Sequence, residues 1–256
     1  LERLVRKKIQ ARLGGRLKYF ISGGAALNPE IGSFFMALGV KLLQGYGQTE
    51  ASPVISANRP NKVKIETVGP PVAGVEVRFA DDGEILVRGD LLMKGYWRDE
   101  HSTAAAIQDG WLHTGDIGNC DKDGYITITG RKKEMIVNSG GENIVPSRVE
   151  ALLTIEPEIE QAMVDGDQRP WLAAVIVPSA KARETAESNE ALKLLIADTI
   201  ERANGRLSQI ERVRRFVIAD ENFTTENSQL TATLKVRRHI VKAEYQDRIA
   251  ALYNRQ

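Results

Sequence analysis

The chain has 256 residues, of which 42% are hydrophobic and 27% charged, an ordinary composition for a globular protein of one or two domains. Its 35 basic and 34 acidic residues give a net charge of +1, so no overall charge favours nucleic acid as a partner. The single cysteine, Cys120, excludes an intramolecular disulfide and a thiolate-rich zinc site. We expect it to be a small buried hydrophobe in a reducing compartment.

Hydrophobic spacing near the start of the chain predicts alternating helices and strands. The predicted elements are a helix, a strand, a helix and a strand at 1–13, 16–22, 28–39 and 40–44. A strand, helix and strand at this spacing form a βαβ unit with a parallel sheet, whose ligands bind beyond the carboxyl ends of the strands. Both carboxyl ends lead into glycine-rich turns, SGGAAL (22–27) and GYGQTE (45–50).

The pattern becomes β-rich from Val68 onward. We predict hairpins over 75–89 and 111–130, with a short helix near 99–108 between them. Beyond these lie a strand, a glycine-rich turn and a helix that opens at Val145-Pro146. The remaining predicted elements are a hairpin at 159–179, a long helix at 180–204, a strand at 213–218 and a helix at 236–253.

The predicted fold class is therefore α/β with a β-rich subdomain, followed by a small α+β domain at the C-terminal end. We place the two domains at 1–131 and 132–256, because a polar strand end there meets a new block of strand, turn and helix. No signal peptide or membrane-spanning segment is recognisable, and a cytoplasmic location is expected.

General motifs of nucleotide and hydrolase sites are missing. The chain has no G-x-x-x-x-G-K-[ST] loop and no G-x-S-x-G elbow. Gly45 and Gly47 are followed by Glu50 where a dinucleotide fingerprint needs a third glycine. The three histidines lack the spacing of metal ligands.

Six separate segments nevertheless occur together in a fixed order. They are SGGAAL (22–27), LLQGYGQTE (42–50), GEILVRGDLLMKGYW (83–97), GWLHTGD (110–116), YITITGRKKEMIVNSGGENIVP (125–146) and LTATLKVRR (230–238). Together they resemble the adenylate-forming acid ligases, and among these the long-chain acyl-CoA synthetases. GDQRPWLAAVIVP (166–178) and FTTENSQLTATLK (223–235) resemble the long-chain branch in particular.

One departure from the family pattern qualifies this resemblance. The family's Ser/Thr/Gly-rich loop with a lysine, which wraps the ATP phosphates upstream of the GYGQTE-like motif, has no counterpart in these 256 residues. The resemblance therefore implies the C-terminal half of a ligase, with the fold truncated on its N-terminal side. We expect this chain alone to be inactive.

The resemblance implies a reaction in which a fatty acid attacks ATP to form an acyl-adenylate, and coenzyme A then displaces AMP. It makes Lys235 the adenylation lysine, Thr49 a phosphate contact and Glu50 the ligand of Mg²⁺, a cation that prefers carboxylates. The expected partners are therefore small molecules: the fatty acid, ATP and coenzyme A. Considered without the family, Lys235 is one solvated lysine among many.

The same resemblance implies the nucleotide site. Tyr46 stacks on adenine, Asp116 binds the two ribose hydroxyls and Arg131 contacts ribose and phosphate. Ile128 packs on the ribose or, equally well, in the core. The glycine-rich turns, for which turn geometry alone is the alternative explanation, contribute the nucleotide-binding residues Gly24, Ala25, Gly45 and Gly47.

Two further positions concern movement and the second substrate. Lys133 aligns with the family's hinge, about which the small domain pivots between two arrangements. One arrangement brings Lys235 to the phosphate. The other withdraws it and presents the turn at Gly140-Gly141 to form the path of the pantetheine arm of coenzyme A.

Three alternatives stay open at this point. A fatty acyl-AMP ligase, which passes the acyl group to a carrier protein, has the same motifs. A non-catalytic nucleotide-binding module would use the same adenine and ribose residues, although Glu50 and Lys235 serve chemistry more than binding. The basic helices at 1–18 and 235–248 indicate either peripheral membrane contact or solvated helix faces. The sequence gives no indication of the oligomeric state.

Overall fold

A computed structural model describes residues 2–25 and 27–254, and for residues 2–5 it describes the backbone alone. The chain divides into two compact units, residues 1–133 and residues 134–256, called unit 1 and unit 2 below. The predicted boundary between residues 131 and 132 lies close to this division.

Unit 1 begins with the predicted βαβ arrangement. Its elements are α1 (Glu2–Arg12), β1 (Tyr19–Ser22), α2 (Pro29–Ala37), β2 (Lys41–Tyr46) and β3 (Ser56–Ala57). Strands β1 and β2 are parallel, and β3 pairs antiparallel with β2. The Asn28 side chain caps α2 by accepting a hydrogen bond from the Glu30 amide at 2.8 Å. The first strand begins at Tyr19, later than predicted, and the predicted helical position Leu1 lies outside the described residues.

The rest of unit 1 is an antiparallel sheet that confirms both predicted hairpins. Its elements are β4 (Glu76–Phe79), β5 (Glu84–Arg88), α3 (Glu100–Ala106), β6 (Ile107–Gln108), β7 (Trp111–Cys120) and β8 (Ile126–Arg131). The strand order is β4-β5-β7-β6, and β8 pairs with β7. One core cluster joins Ile85, Val87, Leu112 and Ile126 of this sheet to Tyr46 and Ile55. The β-rich sheet is thereby packed against the end of β2.

The expectation for Cys120 is wrong, because its thiol is exposed. Cys120 is the last residue of β7, and the final two residues of that strand are exposed where the chain turns toward β8. By contrast, Trp111 is buried, with the guanidinium groups of Arg78 and Arg88 at 4.2 and 4.6 Å from its ring centre.

Unit 2 is the predicted α+β arrangement. Its elements are β9 (Ile136–Val137), β10 (Asn143–Ile144), α4 (Pro146–Leu153), β11 (Ile159–Asp165), β12 (Leu172–Pro178), α5 (Ala180–Thr185), α6 (Asn189–Asn204), β13 (Val213–Ile218) and α7 (Arg238–Tyr253). In the sheet, β12 lies between antiparallel β11 and parallel β13. One core cluster includes residues of α4 and α6, and a second includes residues of α7.

The single long helix predicted over 180–204 is wrong, because two helices occupy that range. Helix α5 ends at Thr185, and the following Ala186 is extended. Ser188 then caps α6, its hydroxyl accepting a hydrogen bond from the Ala191 amide at 3.2 Å. A serine side chain that binds a backbone N–H in this way favours a helix start over a helix interior.

In the part of the chain that the structure describes, no helix combines the length and the apolar character needed to cross a membrane.

Candidate active site

Three predicted nucleotide-site residues are in direct contact in unit 1. Asp116 on β7 lies opposite Arg131 on β8 in the strand register, and the Arg131 Nε donates to Asp116 Oδ1 at 3.1 Å. Tyr46, the last residue of β2, donates its hydroxyl to Asp116 Oδ2 at 2.6 Å. The parallel strand pair and the antiparallel sheet therefore meet at one carboxylate.

Two donors hold the Asp116 carboxylate in place as a hydrogen-bond acceptor. Asp116 is 5% exposed, and it accepts from a phenol on one oxygen and from a guanidinium on the other. Burial and the nearby Asp116 charge raise the pKa of the Tyr46 phenol above its usual value, so the phenol stays a donor. Each carboxylate oxygen has about two acceptor sites, so each retains capacity for one further donor such as a ribose hydroxyl.

The turn after β2 depends on close backbone approach at Gly47. A Cβ atom at this position would lie 1.7 Å from the Pro53 carbonyl oxygen, so only glycine fits. Gly24 has a φ of +85°, and a Cβ atom added there would meet no described atom within 4 Å, so this turn is open on that side. Neighbouring Ala25 is exposed.

The predicted phosphate and magnesium residues follow at once in a short 3-10 helix, Thr49–Ala51. Glu50 Oε1 accepts a hydrogen bond from the Tyr96 hydroxyl at 2.9 Å, and the Glu50 carbonyl accepts from the Met93 amide at 2.9 Å. Within the described residues, no group of three or more His, Cys, Asp or Glu side chains is arranged for a metal. The single carboxylate of Glu50 is compatible with Mg²⁺, because this ion is usually bound by one or two protein carboxylates together with substrate phosphates.

Gln48 is a candidate that sequence reasoning missed. It lies between Gly47 and Thr49, and its side-chain Nε2 is buried with no hydrogen-bond partner among the described residues. A buried donor without a partner is uncommon in folded proteins and is costly. The only signal in the sequence is its place inside GYGQTE, next to Thr49, the predicted phosphate contact.

Ile128 lies on β8, half-buried against the core cluster of unit 1. This position supports the core alternative directly. The ribose contact remains a prediction.

In unit 2, Lys235 lies in a closed loop that its own threonines shape. The Thr231 amide donates to the Lys235 carbonyl at 2.8 Å, and the Lys235 amide donates to Thr231 Oγ1 at 3.0 Å. The hydroxyls of Thr231 and Thr233 are 3.0 Å apart. Leu234 adopts a left-handed backbone with φ of +60°. The backbone of the lysine is thus fixed while its side chain is exposed.

The Gly140-Gly141 turn joins β9 to β10 and is organised by Asn138. The Asn138 side-chain oxygen accepts from the amides of Gly140 and Glu142, both at 2.9 Å. Gly141 has a φ of +80°, in the region that favours glycine. A neighbouring loop supports the turn, since the Ser139 amide donates to the Arg169 carbonyl at 3.0 Å. Both glycines are exposed.

Lys133, the predicted hinge, is exposed and is the last residue of unit 1. The candidate residues therefore fall into separate sets. Unit 1 brings Tyr46, Asp116 and Arg131 into contact and places Glu50 against Tyr96. Lys235 and the Gly140-Gly141 turn belong to unit 2.

Comparison with solved structures defines the class of fold. The adenylation domain of carboxylic acid reductase from Segniliparus rugosus, solved with AMP and a co-purified carboxylic acid, matches with a TM-score of 0.83 and 29% identity over 99% of this chain and 42% of that one. The fold is that of the adenylate-forming ligases, as predicted.

Two family models match the sequence. One, described as AMP-binding enzyme, matches residues 1–97, and another, described as AMP-binding enzyme C-terminal domain, matches residues 133–256. The chain belongs to the AMP-binding enzyme family, which confirms the resemblance inferred from its motifs.

Two curated relatives are similar across the chain. The long-chain-fatty-acid–CoA ligase FadD15 of Mycobacterium bovis is 40% identical over all of this chain and 45% of its own length. The long-chain-fatty-acid–[acyl-carrier-protein] ligase AEE15 of Arabidopsis thaliana is 34% identical over 99% of this chain and 38% of its own length. The chain thus spans less than half the length of these relatives.

Proposed function

We propose that this chain contains the nucleotide-binding residues and the catalytic lysine of a long-chain fatty acid–CoA ligase. The contact of Tyr46, Asp116 and Arg131 is the observation that carries the proposal. A buried carboxylate fixed between a phenol and a guanidinium suits the two hydroxyls of a ribose. The 40% identity with FadD15 supports the substrate class.

In the first half-reaction, a fatty acid carboxylate attacks the α-phosphate of ATP, and pyrophosphate leaves. Negative charge gathers on the phosphate oxygens, so fixed cations accelerate the step. Lys235 supplies an ammonium on a long stem, and Arg131 supplies a guanidinium beside the ribose. Glu50 would hold Mg²⁺, which neutralises phosphate charge when it is bound, and the Thr49 hydroxyl would donate to a phosphate oxygen.

In the second half-reaction, the thiolate of coenzyme A attacks the acyl carbonyl and AMP leaves. We assign the exposed turn at Gly140-Gly141 to the pantetheine path, because a glycine turn lets an extended chain pass close to the backbone. Lys133, at the division between the units, is the proposed pivot.

The experiment that tests this assignment separates the half-reactions. In a full-length ligase that contains these residues, Lys235→Ala should slow fatty-acid-dependent pyrophosphate exchange by about 100-fold or more, as removal of a charge-stabilising donor does elsewhere. Transfer from preformed acyl-adenylate to coenzyme A should change little. Lys193→Ala, an exposed lysine of α6, is the matched control. An equal loss in both half-reactions would refute the assigned role.

The 256-residue polypeptide itself offers a second test. It has no Ser/Thr/Gly-rich phosphate loop upstream of GYGQTE, so we expect little pyrophosphate release when it is assayed alone with fatty acid, ATP and Mg²⁺. Robust turnover would contradict the proposed need for that loop.

The identity with AEE15 favours a second candidate, ligation to an acyl carrier protein. A full-length ligase given coenzyme A and holo-carrier protein in competition distinguishes the two acceptors. Thioester formation on coenzyme A is expected, and exclusive transfer to the carrier would replace our proposal with this one.

A non-catalytic nucleotide-binding module is the alternative from another class. It would bind AMP in the intact protein without releasing pyrophosphate. Measuring AMP binding together with pyrophosphate release decides between the module and the enzyme.

The location that accompanies this function is cytoplasmic, with peripheral membrane contact through α1 as an added proposal. Arg6, Lys7, Lys8 and Arg12 of α1 are exposed beside the exposed Leu13. Co-sedimentation with vesicles of anionic lipid, but not of neutral lipid, is the expected result. Equal recovery with both would indicate a solvated helix.

A further inference from the structure

The connection between β5 and α3 reaches Glu50. The Met93 amide binds the Glu50 carbonyl at 2.9 Å, and the Tyr96 hydroxyl binds the Glu50 carboxylate oxygen Oε1 at 2.9 Å. Both contacts join positions more than 40 residues apart in sequence. The backbone and the side chain of Glu50 are thus each held by the same segment, 93–96.

The segment is itself firmly placed. The Tyr96 amide donates to Thr103 Oγ1 at 2.9 Å, and that hydroxyl donates to the Asp99 carbonyl at 2.7 Å. Asp99 in turn caps α3 by accepting from the Ser102 amide at 2.9 Å. A Cβ at Gly95 would lie 2.8 Å from the Thr103 methyl carbon, so the chain passes close to the helix. The backbone of Tyr96 is therefore held by the first turn of α3, and this fixes the position of its phenol.

The Tyr96 phenol limits how the Glu50 carboxylate can rotate and which of its oxygens can bind another group. A hydrogen bond on Oε1 restricts rotation of the carboxylate and leaves Oε2 as the oxygen with both acceptor sites available. A carboxylate that binds a cation together with phosphate oxygens must present one oxygen in a defined direction. Groups that hydrogen-bond a metal ligand in this manner orient it, and their removal weakens metal binding or activity by about 10- to 100-fold.

We propose that Tyr96 is a positioning residue for Glu50, which holds the carboxylate so that its second oxygen faces a divalent cation bound to the nucleotide phosphates. The inference rests on the proposed function, because it takes Glu50 as the ligand of that cation. It adds a residue from another motif, GYW (95–97), to which the family resemblance gave no role.

The test replaces Tyr96 by phenylalanine in a full-length ligase that contains these residues. The affinity of the protein–ATP complex for Mn²⁺, measured by electron paramagnetic resonance of the free ion, should fall by about 10-fold. The Mg²⁺ concentration for half-maximal pyrophosphate exchange should rise by a similar factor, while the rate at saturating Mg²⁺ stays within about twofold. A role confined to folding would lower the rate without moving the Mg²⁺ dependence.

Tyr125→Phe is the matched control. Its hydroxyl also donates one hydrogen bond in unit 1, to the Lys62 carbonyl at 2.8 Å, and no hydrogen bond described for this structure joins it to Glu50. It should leave Mn²⁺ affinity unchanged. If Tyr96→Phe does not fold, Thr103→Val, which removes the hydrogen bond to the Tyr96 amide, takes its place with the same expected direction.

A double-mutant cycle with Glu50→Gln completes the design. If Tyr96 acts through Glu50, Tyr96→Phe should have no further effect on Mn²⁺ affinity in the Glu50→Gln background. Additive effects, or an unchanged Mn²⁺ affinity in the single variant, would overturn the inference. Failure of the proposed function is distinguishable, because the wild-type ligase would then show no fatty-acid-dependent pyrophosphate exchange. In that case Mn²⁺ binding to the ATP complex still tests the role of Tyr96.

Discussion

Among the described residues, each unit has one pair of parallel strands, and the two pairs differ in how deeply they are buried. In unit 2, every residue of β12 is buried, and a core cluster lies on each side of the sheet. In unit 1, three of the four residues of β1 are exposed, and Ile21 is 75% exposed. Parallel strands are usually buried on both faces, and within these 256 residues β1 is not.

The difference reflects where the buried hydrophobic core of each unit lies. Unit 2 closes helices over both faces of one sheet. Unit 1 places its buried core between the end of β2 and the antiparallel sheet, and β1 contributes little to that core. The glycine turn after β1 is therefore carried on a weakly packed strand, while Asp116 is carried on a well-packed one. Substitutions should reveal this contrast.

The largest effect is expected at a partly buried ion pair of unit 2. Arg238, the first residue of α7, pairs with Glu150 on α4 and also donates to the Val164 carbonyl at 3.2 Å. Arg238→Met would remove this cation from the Glu150 carboxylate, whose side chain is only 14% exposed. We expect a loss of about 3 to 5 kcal/mol in the free energy of unfolding, measured by urea titration with Trp171 fluorescence.

The control for this prediction lies one helical turn away. Lys242→Met removes an ion pair with Asp165 in which the lysine side chain is 52% exposed, and should cost below about 1 kcal/mol. Equal losses in the two variants would show that water reaches the Arg238–Glu150 pair as readily as the exposed Lys242–Asp165 pair.

The second prediction compares two isoleucines directly. Ile196 on α6 is fully buried, so Ile196→Ala should cost about 2 to 5 kcal/mol through lost packing and the cavity that remains. Ile21→Thr keeps a β-branched side chain on β1 and should change stability by less than about 0.5 kcal/mol. Urea titrations of both variants provide the measurement. A large loss at Ile21 would contradict the view that β1 adds little to unit 1.

The third prediction concerns one tyrosine in each unit. Tyr46→Phe removes a donor from the buried Asp116 carboxylate and should cost about 2 kcal/mol, because hydrogen bonds to charged groups are the stronger ones. Tyr245→Phe removes an acceptor from the neutral Asp220 amide, 3.1 Å away, and should cost about 1 kcal/mol. Thermal unfolding of both variants checks the order. The reverse order would show that the Tyr46 contact is offset by its own desolvation.

Local signals made most of this fold predictable. Asn28-Pro29 marks the start of α2, and the Asp81–Gly83 turn marks a hairpin, because caps and turns depend on a few adjacent residues. The break between α5 and α6 was missed because helix-forming residues surround the single cap Ser188. The exposure of Cys120 depends on where its strand leaves the sheet, which composition does not reveal.

The candidate site was predictable only as a set of motifs. Tyr46 and Asp116 are 70 residues apart, and Glu50 and Tyr96 are 46 apart, so their contacts depend on how the strand pair meets the antiparallel sheet. Periodicity reports only local structure. The resemblance identified which residues matter, while the structure shows which of them hydrogen-bond to one another.

The smallest effect is expected from an exposed charge cluster in unit 1. Lys64 pairs with Asp121 and with Asp123 at the bend between β7 and β8, and this lowers the pKa of Asp121 from 3.8 to about 2. A lowered carboxyl pKa stabilises the folded state above the unfolded value, and that contribution is lost as pH falls from about 4 to about 2. Lys64→Met should therefore flatten the acid side of the stability profile of unit 1. The measurement is Trp111 fluorescence in a Trp171→Phe background, and Lys242→Met in unit 2 serves as the control. An unchanged acid profile would show that the bend does not support the sheet on which Asp116 lies.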